Sequence, residues 1–257
     1  MQKFWIRILF IVAILILWEV SVILDGRLEK FPHPVGVWEA LFRIGNERTL
    51  WVAVTQSLTR VLIAFVIAFI LGVVFGIVLG SFTILDRALS PIIDALRSIA
   101  PIAWIPMAVM WLGITGKAAI FIVAYAAVFP IILNTYHAVR MIDRSLIHAA
   151  RTLGASKLLL VYDVMFKSAL PNIIVGARIS MGFAWASIIA AELAMGIKIE
   201  FGSKQDFGLG QLMVNTLFIE RDINALVLYM LTIGVVGFGI DYFMRVVRRL
   251  SSPWALL

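Results

Sequence analysis

Cysteine is missing from the chain altogether, so neither a disulfide nor thiol chemistry is open to it. Charge is nearly as scarce. Only 14% of the 257 residues are Asp, Glu, Lys or Arg, and 62% are apolar. Soluble domains run closer to a quarter charged and half apolar, so the composition excludes an ordinary water-soluble domain and points to a membrane protein. Histidine occurs three times, at His33, His137 and His148, too scattered for zinc-ligand spacing. The formal net charge of +7 comes with no basic run interleaved with aromatics, which excludes the usual nucleic-acid footprint. Lysine and arginine near the ends of membrane helices account for it instead. The P-loop pattern G-x-x-x-x-G-K-[ST] is absent too, since "GITGKAA" lacks both its spacing and its hydroxyl residue. With no low-complexity segment and no soluble-looking half, residues 1–257 are expected to form a single membrane domain.

What the chain has in abundance is apolar runs of membrane length. A bilayer core needs ~20 apolar residues of helix, and runs at 8–24, 61–80, 98–116, 118–139, 171–196 and 223–240 predict six spans. The first is interrupted only by Glu19, and "WEVSVIL" offers no small-residue cleavage site, so a retained helix is expected rather than a signal peptide. The third carries Pro101 and Pro106, and the preceding "LSPIIDALRSIAP" either joins that helix or lies at the interface. Six spans put both termini on one side, together with the loops after spans two and four. That side collects Lys3, Arg7, Arg87, Arg140, Arg144, Arg151, Lys157, Lys167, Arg245, Arg248 and Arg249, which predicts that both termini are cytoplasmic. Between spans one and two, Val35, Trp38, Leu41 and Phe42 recur at i, i+3, i+6 and i+7, the pattern of a short amphipathic helix on the outer surface. Gly72, Gly76 and Gly80 put a flat stripe on one face of span two, where another helix can approach closely. The plainer reading is that glycine is common in membrane helices. Gly234 and Gly237 make a weaker stripe in span six.

One polar segment breaks this pattern, "HAARTLGASKLLLVYD" in the 140–170 loop. His148 to Leu153 spell a turn and a half of helix with Ala149, Ala150 and Leu153 together. Gly154 is placed to cap it, and Ser156 to start the next helix. Small alanines let a partner approach and Leu153 supplies an apolar knob, so His148, Ala149, Ala150, Arg151, Leu153, Gly154, Ser156 and Lys157 form a candidate docking element. An ordinary connection between two spans is the plain alternative.

The loop resembles the EAA loop of binding-protein-dependent ABC importer permeases, with Ala149, Ala150, Gly154 and Val164 at the matching positions and Leu170–Pro171 matching a second leucine–proline pair. "FPHPVGVWEAL", "SLTRVLIAF", "ALRSIAPIAWIP", "FPIILNT", "GARISMGFAW" and "AAEL" are similar to the branch that carries sulfonates, taurine, nitrate and related solutes, in the right order over nearly the whole chain. Two residues depart from the pattern: His148 stands for the glutamate and Lys167 for the first proline. The resemblance implies an all-α fold of the type I ABC importer kind, with six spans and a cytoplasmic coupling helix between spans four and five. It implies a second permease copy, two ATPase subunits that bind ATP and Mg, and an extracytoplasmic solute-binding protein in the cell membrane. It also implies uptake of a small anion by alternating access, with no cofactor on this chain and no catalysis by it.

Ionisable groups at membrane depth are costly and are functional candidates. Arg178 and Glu192 share span five, 14 residues or ~21 Å apart, too far to pair. Arg178, near the cytoplasmic end, suits snorkelling or binding to another helix's carbonyls more than substrate contact. Glu192, near the outer end, fits a periplasmic gate or a structural anchor equally. Glu19 fits simple snorkelling. Trp104, Met107 and Trp111 read as packing residues. So, by base rate, do Met181 and Trp185, which are nonetheless the candidates for the wall of a conduit between two copies. Two rival classes remain. A membrane enzyme acting on lipids needs clustered carboxylates, and Asp86 with Asp94, eight apart, is the nearest approach to one. An ion-driven transporter predicts an internal repeat, which the two halves lack.

Overall fold

A computed structural model describes residues 2–25, 32–45, 47–156, 159–196 and 207–251, and the described residues are helices and their connections, without a strand. In chain order the helices are α1 (Gln2–Asp25), α2 (Pro34–Ile44), α3 (Arg48–Ser81), α4 (Thr83–Ser98) and α5 (Ile105–Leu112), then α6 (Gly116–Arg140), α7 (Arg144–Thr152), α8 (Lys167–Ala194), α9 (Leu209–Asn215) and α10 (Ile223–Ser251). A wide-turned segment, Leu160–Phe166, leads straight into α8.

The core is α6 clasped between α3 and α8. Close approach is possible because the facing surfaces are nearly flat. A Cβ built on Gly72, Gly76 or Gly80 would lie 2.7, 2.5 or 2.7 Å from the Cβ of Ile131, Thr135 or Val139. On the other side of α6, Gly176 sits against Asn134, and the Ser180 hydroxyl donates to the Ala127 carbonyl. Without a hydrophobic drive between helices in lipid, such contacts and dispersion hold the bundle. Alanines 118, 119, 126 and 127 of α6 are buried for the same reason.

Among the described residues four helices are long and apolar enough to cross a membrane (α3, α6, the 160–194 run and α10), and a fifth crossing follows if α4 and α5 count as one broken span. The six spans expected from apolar runs are therefore not all reached by length and apolarity, since the apolar part of α1, Val12–Leu24, is short. Two boundaries need correction. The second span was expected at 61–80, but α3 runs for 34 residues from Arg48, because Arg60 is neutralised inside the protein instead of ending the helix. The third was expected as one helix over 98–116, but the chain turns by 88° between α4 and the Pro101–Leu112 segment. Pro101 explains the break: the residue before a proline is pushed out of the helical region, and Ala100 sits at φ −59°, ψ 136°.

Helix α2 forms where the amphipathic pattern placed it, with Pro34 at its first turn. Val35, Trp38, Leu41 and Phe42 face outward, while Val37, Ala40 and Ile44 pack inward. Asp222 caps the start of α10 by accepting from the Ala225 amide (3.0 Å) and pairs with Arg43 in the last turn of α2. Burial pushes its carboxyl up, but the Ala225 amide and Arg43 outweigh that and hold it below the ordinary aspartate range.

Candidate functional site

Helix α7 stands apart from the apolar bundle as a short polar element. It begins one turn earlier than the alanine pattern suggested, at Arg144, because Asp143 caps it: the Asp143 carboxylate accepts from the Ser145 amide at 2.8 Å. That amide, with the Ser145 hydroxyl, keeps the Asp143 pKa below the usual carboxylate range. The helix ends in a Schellman arrangement. The Gly154 amide donates to the Arg151 carbonyl (2.9 Å) and the Ala155 amide to the Ala150 carbonyl (3.0 Å), with Gly154 at φ +82°. A side chain at Gly154 would meet no neighbour, so only the left-handed backbone calls for glycine there. The chain restarts at Ser156, whose hydroxyl accepts from the Leu159 amide at 3.3 Å. His148, Ala149 and Arg151 are exposed and Ala150 is half-buried. Leu153, just past the helix, is 88% exposed, a large apolar side chain held into open space at a rigid corner. Lys157 lies outside the described residues.

At the opposite end of the molecule a charge cluster is wholly buried. Glu192, near the end of α8, has no exposed surface. Its Oε1 receives Arg60 Nη1 from α3 at 2.9 Å, the Ser57 hydroxyl lies 2.9 Å from both carboxylate oxygens, and the Gly210 amide donates to Oε2 at 3.0 Å. Ser57 in turn accepts from the Leu209 amide at 3.0 Å. A Cβ at Gly208 would lie 2.0 Å from Glu192 Oε1, so only glycine admits the carboxylate. The cluster thus ties α3, α8 and the start of α9 together. Sequence reasoning missed Arg60 because it sat just outside the expected second span. The signal was there: Ser57 and Arg60, three apart, share a face of the helix.

Arg178 meets a carboxylate of another helix. It pairs with Asp241 of α10 (2.8 Å), which also holds Arg245 at 3.0 Å. Asp241 was overlooked because it lies one residue past the expected end of span six. Met181 and Trp185 are buried inside the single chain, Trp185 donating to the Ile233 carbonyl (3.2 Å) against Gly237. Trp185 thereby packs α8 on α10. Glu19 approaches His33 at 3.6 Å, which brings α1 against the start of α2.

Residues 69–254 match the model of the family described as "Binding-protein-dependent transport system inner membrane component". The chain belongs to this family. It is 35% identical over 226 residues to the putative aliphatic sulfonates transport permease protein SsuC of Escherichia coli, covering 87% of this chain and 81% of that one. It is 31% identical to the bicarbonate transport system permease protein CmpB of Synechocystis sp., covering 98% and 93%. With the nitrate import permease protein NrtB of Synechocystis sp. it shares 29% identity over 95% and 87%. The fold matches a chain of the MetNI methionine ABC transporter in an inward-facing conformation, with a TM-score of 0.66 at 21% identity, covering 80% of this chain and 99% of that one. This permease therefore has the ABC importer transmembrane fold and is a membrane transport subunit.

Proposed function

We propose that this permease works as a pair of copies importing a small anion, powered by two separate ATPase subunits that bind ATP and Mg and supplied by an extracytoplasmic solute-binding protein. The single observation that carries the coupling assignment is α7, a capped polar helix ending at an exposed Leu153 and a left-handed Gly154. A helix held at both ends moves as a rigid body, so a partner that grips it moves the spans on either side, α6 and α8, together. Of these, α6 packs against both α3 and α8, which supports transmission into the bundle. On this reading α7 and both termini face the cytoplasm. ATP binding draws the two α7 helices together and opens the spans outward, and hydrolysis relaxes them inward. The anion class is supported by the sulfonate, bicarbonate and nitrate permeases to which the chain is similar.

The test is co-purification of the tagged chain in detergent, followed by an ATPase assay. An ATPase present in equal numbers with the permease supports the reading. A chain that purifies alone, and stimulates no hydrolysis when candidate ATPases are added, sinks it.

A further inference from the structure

None of the 16 residues of α4 is buried, so apolar burial does little to set its place. Two polar attachments to α6 do more. Near the start of α4, Asp86 pairs with Arg140, the last residue of α6. At the other end, Tyr125 donates to the Leu96 carbonyl.

The first attachment is more than a surface ion pair, which alone would contribute little. The Asp86 side chain is only 13% exposed. One of its carboxylate oxygens accepts from the Ser90 hydroxyl at 2.6 Å, and the other meets Arg140 Nη2. Tyr136 also donates to the carboxylate, and the Arg140 guanidinium lies over the Tyr136 ring, 5.4 Å from its centre. Spacing by four puts Tyr136 and Arg140 on one face of α6, and Asp86 and Ser90 on one face of α4. Four side chains from two helices thus hold one another, and such a network is stronger than its separate pairs.

Arg140 also sits next to α7. The Met141 amide donates to the His137 carbonyl (3.0 Å) and the Ile142 amide to the Val139 carbonyl (3.4 Å), which carries the hydrogen-bonded backbone of α6 two residues past its end. Only Asp143 then intervenes, and its carboxylate caps α7. This connection has little slack, so a displacement of α7 reaches Arg140. At its far end α4 gives way to the 88° turn and to Pro101–Trp104, which packs on α6 and α8. Ion-pair networks and rigid helices in unbroken contact are what carry coupling between distant sites.

We propose that Asp86, Tyr136 and Arg140 form a coupling joint that carries the displacement of α7 into α4, and through α4 to the turn before α5. The assignment rests on the import reading above, in which an ATPase grips α7, and it names the residues through which that grip reaches the third span. They act by positioning α4, with Ser90 bracing the carboxylate.

The experiment uses proteoliposomes of the full transporter, this chain with its co-purified ATPase subunits and binding protein. Uptake of labelled butanesulfonate, bicarbonate and nitrate is measured together with ATP hydrolysis. Asp86→Asn and Arg140→Gln are each expected to lower the solute taken up per ATP hydrolysed by about tenfold, within the range of one coupling interaction. Yield of the complex and its basal hydrolysis should stay near the wild-type values. Asp86→Glu, which keeps the charge, should retain most of the uptake. The inference is overturned if either neutral variant keeps wild-type uptake per ATP, or if Asp86→Glu loses as much as Asp86→Asn. It is overturned equally if yield and hydrolysis fall in step with uptake, since that pattern marks a pair that only holds the fold. If the wild-type complex moves none of the three probes with ATP, the import reading itself has failed and the joint has nothing to couple.

Discussion

Glu192 and Gly154 show how differently single residues matter here. Glu192 is buried with its charge met by Arg60, Ser57 and a backbone amide. Breaking one partner of a buried pair costs about 3–5 kcal/mol, whereas replacing both by apolar residues of similar volume is often neutral. Glu192→Gln is therefore expected to lower the thermal unfolding midpoint in detergent, and the double variant Arg60→Met, Glu192→Met to recover much of the loss. Equal midpoints for the wild type and Glu192→Gln would show that the cluster does not hold the fold. Gly154 touches nothing, yet its φ of +82° would cost a non-glycine residue about 1–2 kcal/mol. Gly154→Val should leave the chain inserted while ATP hydrolysis continues without transport. Normal uptake by that variant would detach the left-handed corner from coupling.

Among the elements, α3 and α6 depend on their shape and α7 on its caps. Gly76 faces Thr135 so closely that any larger side chain must part the helices. Gly76→Leu is expected to prevent assembly with the ATPase or cut its yield severely, and co-purification at wild-type yield would show that the pair can separate at no cost. For α7 the relevant group is Asp143, whose folded pKa is depressed by the Ser145 amide and hydroxyl. A depressed carboxyl pKa contributes stability above its unfolded value, and that contribution is lost as pH falls through the folded one. Hydrogen exchange at the Ser145 amide should therefore quicken, after correction for intrinsic rates, once the pH drops below the ordinary aspartate range. Asp143→Asn should show no such step. Both Gly76 and the capped loop were legible in the sequence, since spacing by four and a glycine after a short polar run are local patterns. The start of α7 was not, because a carboxylate cap at Asp143 looks like any other loop aspartate until the backbone is seen.

For the whole molecule, the apolar surface is the telling feature. Leu62, Val66 and Ile70 of α3 and Val235, Phe238 and Phe243 of α10 are all exposed, a distribution that lipid satisfies and water does not. Part of this surface is expected to meet a second copy. Native mass spectrometry of the detergent complex should give two permease chains with two ATPase chains, and a single permease chain per complex would remove the pairing. The break between α4 and α5 belongs to this scale too, because the segment after it packs on α6 and α8.

Membrane class, helical makeup, the family loop and the glycine stripe followed from the sequence alone, because each is written in local periodicity or composition. The tertiary structure decided which charges meet. Arg60 with Glu192 lie 132 positions apart and Arg178 with Asp241 lie 63 apart, and no local pattern carries a pairing across such distances. It also decided that Met181 and Trp185 turn inward and that the third span breaks between α4 and α5. Proline marks where a helix is weak, but only packing against α6 and α8 sets how far the chain turns there.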